Sequence, residues 1–307
     1  MNCSVVIPVY RGETTLAPLV ERLAKVLPTI SKSYEVILVN DGSPDGSWAV
    51  IDQLVEQYSW VRGVDLMRNY GQHNATLCGV RLANYEITVT MDDDLQHPPE
   101  EIALLWEKLT QGYDVVYGAP RQLPRGFWRN VLTKSTKNIL ARIMGIPSVR
   151  SISAFRIFRS HLRNAFVNFQ SPTVTLDVLL SWGTTRFTSV EVNIEPASGK
   201  SNYNFWTLVK AAILILTGYS TTPLRLASWT GFLMTVFGLL VFGYVLVTYF
   251  VAGSLPGFPF LASIISLFSG AQLFALGVFG EYLARIFDRS MDRPPYIVQE
   301  IHDRSAP

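Results

Sequence analysis

Between Arg225 and Glu281 the chain carries no Asp, Glu, Lys or Arg, a run of 55 residues without a formal charge. A helix over residues 226–252 rises about 40 Å at 1.5 Å per residue, enough to cross a hydrocarbon core about 30 Å thick with room for tilt. Residues 260–283 supply a second span. The breaker-rich stretch Gly253-Ser254-Leu255-Pro256-Gly257-Phe258-Pro259 lies between the spans, so together they predict a helical hairpin with a short outer loop. Lys200, Lys210 and Arg225 precede the hairpin and Arg285, Arg289 and Arg293 follow it, while the short loop has no positive charge. The positive-inside rule therefore places both ends in the cytoplasm, in a multi-pass protein of the cytoplasmic membrane. Residues 203–219 carry the single charge of Lys210 among many apolar side chains. That suits an interfacial helix, or a helix packed within the globular domain. Ala262, Ser266 and Gly270 recur every four positions and allow close helix contact, within the hairpin or between copies.

All 50 charges fall outside the uncharged run, 26 basic against 24 acidic. Such a balance makes no broad field for nucleic acid, and no zinc-finger spacing or long basic run appears, so a nucleic-acid partner is not expected. Cys3 and Cys78 each sit among apolar residues and read as reduced core thiols. The first residues enter a strand-like run without a basic leader, so no signal peptide is expected.

Through about residue 195, short β-branched runs alternate with helical periodicity, the pattern of an α/β domain on a largely parallel sheet. Strands are predicted over residues 5–9, 35–39, 63–66, 87–91 and 115–117, and helices over 16–26, 47–58, 74–83 and 99–109. Sheets of this kind bind ligands at the carboxyl ends of their strands. The loops after Val9, Val39, Leu66 and Met91 are therefore where chemistry is expected.

The last of these loops reads Asp92-Asp93-Asp94-Leu95-Gln96. Three carboxylates together repel one another, and a hard divalent cation relieves that repulsion. In extended chain Asp92 and Asp94 point to one side and Asp93 to the other. Asp92 and Asp94, with the neutral oxygen of Gln96, are thus predicted to hold Mg²⁺ or Mn²⁺ against a diphosphate. A bare acidic triplet also suits a solvated turn or a helix cap. On the neighbouring loops, Tyr10 offers a flat surface, and Asp41 offers an acceptor for a nucleobase or ribose beside Gly42. Asp41-Gly42-Ser43-Pro44 equally reads as an ordinary turn.

Taken in order, Val5-Val6-Ile7-Pro8-Val9-Tyr10, Asp41-Gly42-Ser43, Arg68-Asn69-Tyr70-Gly71, the acidic motif through Glu100, Gly199-Lys200-Ser201-Asn202-Tyr203, Thr222-Pro223-Leu224-Arg225 and Gly280-Glu281-Tyr282-Leu283-Ala284-Arg285 span nearly the whole chain. This series resembles the glycosyltransferase family 2 enzymes, and within them the membrane-bound polyprenyl-phosphate glycosyltransferases. That group includes bactoprenol glucosyltransferases, undecaprenyl-phosphate formamidoarabinose transferases and, more distantly, dolichol-phosphate mannose synthase. The resemblance implies a GT-A domain, Rossmann-like with a mostly parallel sheet, over residues 1–200. An interfacial segment at 201–225, the hairpin at 226–283 and a cytoplasmic tail at 284–307 would follow. It also implies inverting, metal-dependent transfer of a sugar from a nucleotide diphosphate, with UDP favoured over GDP, to a polyprenyl phosphate such as undecaprenyl phosphate. The product would serve modification of cell-envelope glycans.

Carried over residue by residue, the resemblance implies donor contacts from Pro8, Tyr10, Glu13, Asp41, Asn69, Asp93 and Lys200. Arg121, Arg129 and Thr133 would grip the acceptor phosphate, and the catalytic group would be Asp92, Asp94, Arg129 and Arg156. A homo-oligomer, a tetramer in some relatives, is implied as well. The chain departs from the family pattern at several places. Tyr10-Arg11-Gly12 stands where Tyr-Asn-Glu is usual, leaving Glu13 as the nearest substitute. Ala154 stands where an aspartate often precedes Phe-Arg, and His97 where an aspartate is common. No arginine occurs in Glu195-Pro196-Ala197-Ser198, where relatives often have one shortly before the Gly-x-Ser-x-Tyr motif. Two other readings remain: a processive polysaccharide synthase, whose Gln-x-x-Arg-Trp motif is absent here, and a catalytically silent membrane adaptor of the same fold.

Overall fold

A computed structural model describes residues 2–120, 152–171, 174–193, 221–253 and 257–304. The chain divides into two compact units, one of residues 1–202 with 292–307 and the other of residues 203–291.

The first unit is built on an eight-stranded sheet of order β7-β5-β6-β4-β1-β2-β3-β8. Its strands are β1 (Cys3–Val9), β2 (Tyr34–Asn40), β3 (Val61–Leu66), β4 (Ile87–Thr90), β5 (Val115–Pro120), β6 (Arg156–Arg159), β7 (Phe187–Val192) and β8 (Val298–Asp303). β1 lies parallel to both β2 and β4, β2 to β3, and β5 to β7, while β6 and β8 run antiparallel to their neighbours. All seven residues of β1 are buried, as expected of a central strand covered on both faces. α1 (Leu16–Ile30) buries Leu16, Leu19, Val20, Leu23 and Leu27, a single stripe at helical spacing. α2 (Ser47–Gln57), α3 (Gln72–Leu82) and α4 (Ile102–Thr110) complete the βα units, and α5 (Leu176–Gly183) follows β6.

The expected strands and helices of residues 5–109 are all present, with ends shifted by a few residues. β6, α5, β7 and β8 are additions. β8 lies within the segment expected as a tail: it pairs antiparallel with β3 in the register Arg62↔Asp303 to Asp65↔Glu300. Without it β3 would be an open sheet edge, a liability that a polar closing strand removes.

The second unit contains α6 (Thr222–Ala252) and α7 (Phe258–Ser290). Both are long and apolar enough to cross a membrane, with mean hydropathy 2.1 over Thr222–Val251 and 1.3 over Leu267–Ser290. Each extends beyond the expected span. Gly238 brings the two helices together, since a Cβ there would lie 2.9 Å from the Phe268 ring, which also stacks on Phe237 at 6.4 Å between centroids. The hydroxyls of Thr230, Thr235 and Thr248 donate to carbonyls one turn back, so these polar groups need no outside partner.

Candidate active site

Four strand-end loops meet along the carboxyl edge of the sheet. Their residues line a crevice of about 290 Å³ that includes Pro8 near the end of β1 and Tyr10 just after it, Asp41 after β2, Asn69, Gly71 and Gln72 after β3, and Asp92, Asp93 and Asp94 after β4. Parallel strands in register bring these loops side by side: Val9 pairs with Asn40, and Asn40 with Asp65.

The floor is tied by short-range chemistry. The Asp41 carboxylate accepts the Tyr70 N–H at 2.7 Å and the Gly71 N–H at 2.9 Å, fixing the β3–α3 loop against the β2–α2 loop. Gly42 permits that approach, since it sits at φ +60° and a Cβ there would lie 2.6 Å from the backbone of Arg68 and Asn69. Burial raises the Asp41 pKa above the usual carboxylate value, and the two N–H donors oppose the rise. Both its oxygens are therefore engaged in holding the loop. Glu13 is not among the crevice-lining residues, and its carboxylate accepts the Gly46 N–H at 3.1 Å where α2 begins.

At the acidic loop, Asp92 accepts from the Gln72 side-chain amide at 2.5 Å. Burial raises its pKa and the charge of Asp94 adds to the rise, while His97, Arg156 and the Gln72 bond oppose it. Asp93 turns toward β1 and accepts the Tyr10 N–H at 3.2 Å. Burial, with the charges of Asp92 and Asp94, pushes its pKa to about 7. Gly12 makes room for it, because a Cβ there would lie 2.7 Å from Asp93 Oδ2. Gln96 folds back, its backbone N–H donating to Asp94 at 3.1 Å and its side-chain amide donating to the same carboxylate. In this arrangement Gln96 braces Asp94 through its N–H and does not line the crevice.

The oxygen donors of the acid cluster are hard, which suits a divalent cation. Among the described residues no three His, Cys, Asp or Glu side chains converge on one point. Mg²⁺-type sites commonly take one or two protein carboxylates and draw their other ligands from substrate phosphate and water, which is the donor set Asp92 and Asp94 can offer.

Arg156 lies beneath the site rather than in it. On β6, opposite Thr90 of β4, it is buried and ion-paired with the buried Asp177 of α5, and Asp177 also accepts the Tyr117 hydroxyl at 2.8 Å. Its Nε donates to Thr90 Oγ1 at 2.9 Å, and Thr90 in turn donates to the Ala154 carbonyl at 2.7 Å. This network anchors the strand end from which the acidic loop springs. Sequence reading missed Asp177 and Gln72. A lone carboxylate inside the apolar run Val174-Thr175-Leu176-Asp177-Val178-Leu179-Leu180 was the available signal for the first. His97, 8% exposed, stacks on Phe155 at 5.3 Å between centroids, and burial lowers its pKa against the pull of Asp92 and Asp94. Arg121, Arg129, Thr133 and Lys200 lie outside the described residues.

Comparison with known families matches residues 4–169 to "Glycosyl transferase family 2", more than half of the chain. The chain belongs to that family. It is a glycosyltransferase, and its sheet with a carboxyl-edge crevice is the GT-A-like domain expected of one. Among curated relatives, it is 33% identical over 303 residues to the undecaprenyl-phosphate 4-deoxy-4-formamido-L-arabinose transferase of Proteus mirabilis, covering 97% of this chain and 93% of that protein. The Shewanella sediminis enzyme of the same name is 34% identical over 306 residues, covering 97% and 92%. Among solved structures, the mannosyltransferase PcManGT from Pyrobaculum calidifontis, in complex with GDP-Man and Mn²⁺, superposes with TM-score 0.51 at 19% identity, covering 92% of this chain and 86% of that one. Glucosyl-3-phosphoglycerate synthase from Mycobacterium tuberculosis gives 0.52 at 16% identity, covering 70% and 78%.

Proposed function

We propose that this glycosyltransferase moves a sugar from a nucleoside diphosphate, UDP in first place, to the phosphate of a polyprenyl lipid at the cytoplasmic face of the membrane. One observation carries the reading: four strand-end loops gather Tyr10, Asp41, Asn69 and the acidic triplet around one crevice, in a chain that also bears two membrane-length helices. The near full-length relatives are named for undecaprenyl phosphate, which supports the lipid acceptor.

The residues divide the work by position. Tyr10 and Asn69 wall the nucleoside end of the crevice, and Asp41 holds the loop that bears Asn69. Asp92 and Asp94 face the diphosphate end, where they would hold Mg²⁺ or Mn²⁺. Held there, a divalent cation would supply charge neutralisation for the departing diphosphate. Asp93, bonded to the Tyr10 N–H, ties the two ends together. A lipid monophosphate has a second pKa near 6, so its attacking oxygen is already anionic at cytoplasmic pH and needs no protein base. Placement and leaving-group stabilisation then carry the rate, with attack opposite the leaving diphosphate and inversion at the anomeric carbon. Arg121, Arg129 and Thr133 are proposed for the acceptor phosphate and Lys200 for the donor diphosphate.

The test is incubation of purified full-length protein with undecaprenyl phosphate, Mg²⁺ or Mn²⁺ and a panel of nucleotide sugars, followed by mass measurement of the lipid. A lipid heavier by one glycosyl unit is expected. Asp94→Asn should lower its formation by about 10²- to 10³-fold, the scale seen on removing one stabilising group from a leaving or developing charge, with an unchanged unfolding temperature. If wild type makes no glycosylated lipid from any donor, or Asp94→Asn makes as much as wild type, the reading is wrong.

A further inference from the structure

Gln72 lines the crevice yet has no part in the division of work proposed above. It is the first residue of α3, and its backbone is held from both sides. Gly71, just before it at φ +93°, donates its N–H to Asp41 Oδ2 at 2.9 Å and accepts the N–H groups of Asn74 and Ala75 at 2.9 and 3.1 Å. The Gln72 carbonyl accepts the Thr76 hydroxyl at 2.8 Å. From this anchored backbone the side chain crosses to a loop 20 positions on, where Nε2 donates to Asp92 Oδ1 at 2.5 Å. Among the described residues this is the one hydrogen bond that Asp92 makes, so Oδ2 is left for another partner. Asp94 differs, because it is braced from within its own loop. Left-handed backbone at Leu95, φ +61°, brings Gln96 back against it. Of the two carboxylates expected at the cation, only Asp92 thus depends on a side chain from a different strand-end loop.

We propose that Gln72 is a positioning residue for the cation site, donating to one oxygen of Asp92 so that the other is presented to the metal. This rests on Asp92 and Asp94 holding a divalent cation against the donor diphosphate, as proposed above. A ligating carboxylate whose second oxygen is hydrogen-bonded is already oriented when the ion arrives, and outer partners of this kind set metal affinity as strongly as geometry requires. The donor is a neutral amide, which fixes Asp92 while leaving its charge for the cation. A lysine or arginine in its place would bring a charge of its own and compete with the metal. Because the Asp41 bond to Gly71 sets where Gln72 begins, the loop that walls the nucleoside end also aims a ligand at the diphosphate end.

The experiment is calorimetric binding of UDP to full-length protein in detergent over a series of Mn²⁺ concentrations, for wild type, Gln72→Met and Gln72→Glu. It reads two quantities: UDP affinity without metal, and the Mn²⁺ concentration at which half of the tightening by metal is reached. Thermal unfolding first shows that each variant is folded. Gln72→Met, close in shape but unable to donate, should raise that Mn²⁺ midpoint by about tenfold or more, the scale for losing an outer partner of a metal ligand. Its UDP affinity without metal should change by a smaller factor. Gln72→Glu cannot donate either and sets a like charge beside Asp92, so its midpoint should also lie above that of wild type. An unmoved midpoint in Gln72→Met overturns the inference. So does an equal loss in both quantities, which would place Gln72 on the nucleotide. A Gln72→Glu midpoint at or below that of wild type overturns it as well, since residue 72 would then be a ligand itself. Those results leave the donor and cation sites standing. A wild type that binds UDP equally at every Mn²⁺ concentration, or not at all, removes the cation reading and this inference with it.

Discussion

The α/β unit and the helical hairpin use the same apolar residues in opposite ways. Leu23 of α1 is 0% exposed, while Leu240 of α6 is 69% exposed, and the pattern repeats along each element. In the first unit polar side chains are satisfied across long sequence distances, as where Asp41 holds the β3–α3 loop and Arg156 meets Asp177. In the second they are satisfied within one helical turn. A chain folding in water must hide its apolar surface and can leave polar groups wet, whereas a chain in hydrocarbon can expose leucine freely but must pair every polar group. The site belongs to the first regime, because concentrating three carboxylates beside a crevice requires water on one side and a packed sheet on the other.

The largest effect is expected where the α/β unit buries charge. Arg156→Met should destabilise that unit by about 3–5 kcal/mol, because it leaves Asp177 charged and without its partner. Pairing it with Asp177→Leu should recover more than half of the loss, short of all of it because the Tyr117 hydroxyl then lacks its acceptor. Denaturant unfolding followed by tryptophan fluorescence measures both. A double variant no more stable than the single one would show that Arg156 acts through Thr90 rather than through Asp177.

Next comes the leucine contrast itself. Leu23→Ala should cost about 2–5 kcal/mol in the same measurement, the range for a leucine truncated in a packed core. Leu240→Ala should stay within about 0.5 kcal/mol, as for an exposed position. A comparable cost at Leu240 would break the comparison, for it would mean that this face is packed against protein.

Legibility in the sequence follows the same division. The uncharged run announced the hairpin by length alone, and β1 to β5 with α1 to α4 were visible because buried parallel strands and amphipathic helices have periods that need no tertiary context. β6 reads Arg-Ile-Phe-Arg and β8 reads Val-Gln-Glu-Ile-His-Asp. Neither is apolar enough to read as a strand, since one is short with a buried charge and the other closes a sheet edge. At the site, Asp92, Asp93, Asp94, Asp41, Asn69, Pro8 and Tyr10 were legible as motifs, and the crevice gathers all seven. What each carboxylate bonds was not legible. Glu13 turns to Gly46 and Gln96 to Asp94 because loop backbone supplies donors whose positions depend on how strands far apart in sequence lie in register.

The smallest effect concerns β8, where the chain rejoins the sheet after the hairpin. His302 Nδ1 lies 2.8 Å from Asp52 Oδ1 of α2, and its Nε2 lies 3.9 Å from Glu56 Oε1. The bond to Asp52 raises the imidazole pKa above its ordinary 6.5, the charges of Asp52, Glu56 and Glu300 add to the rise, and burial opposes it. A raised folded-state pKa means that the contact's stabilisation is fully present below the unfolded value of about 6.5 and is lost as pH rises through the folded value. Both side chains are more than one-third exposed, at 36% and 40%, so solvent screening holds the contribution below about 1 kcal/mol. The Arg62–Asp303 pair at 3.3 Å and the Arg304 bond to the Glu56 carbonyl at 2.7 Å remain at either extreme, so the strand should loosen rather than detach. Hydrogen exchange of the β8 amides, corrected for intrinsic rates, should therefore show less protection near pH 8 than near pH 5. In His302→Gln that difference should vanish. A wild-type strand equally protected at both pH values would mean that the edge is held by its ladder alone.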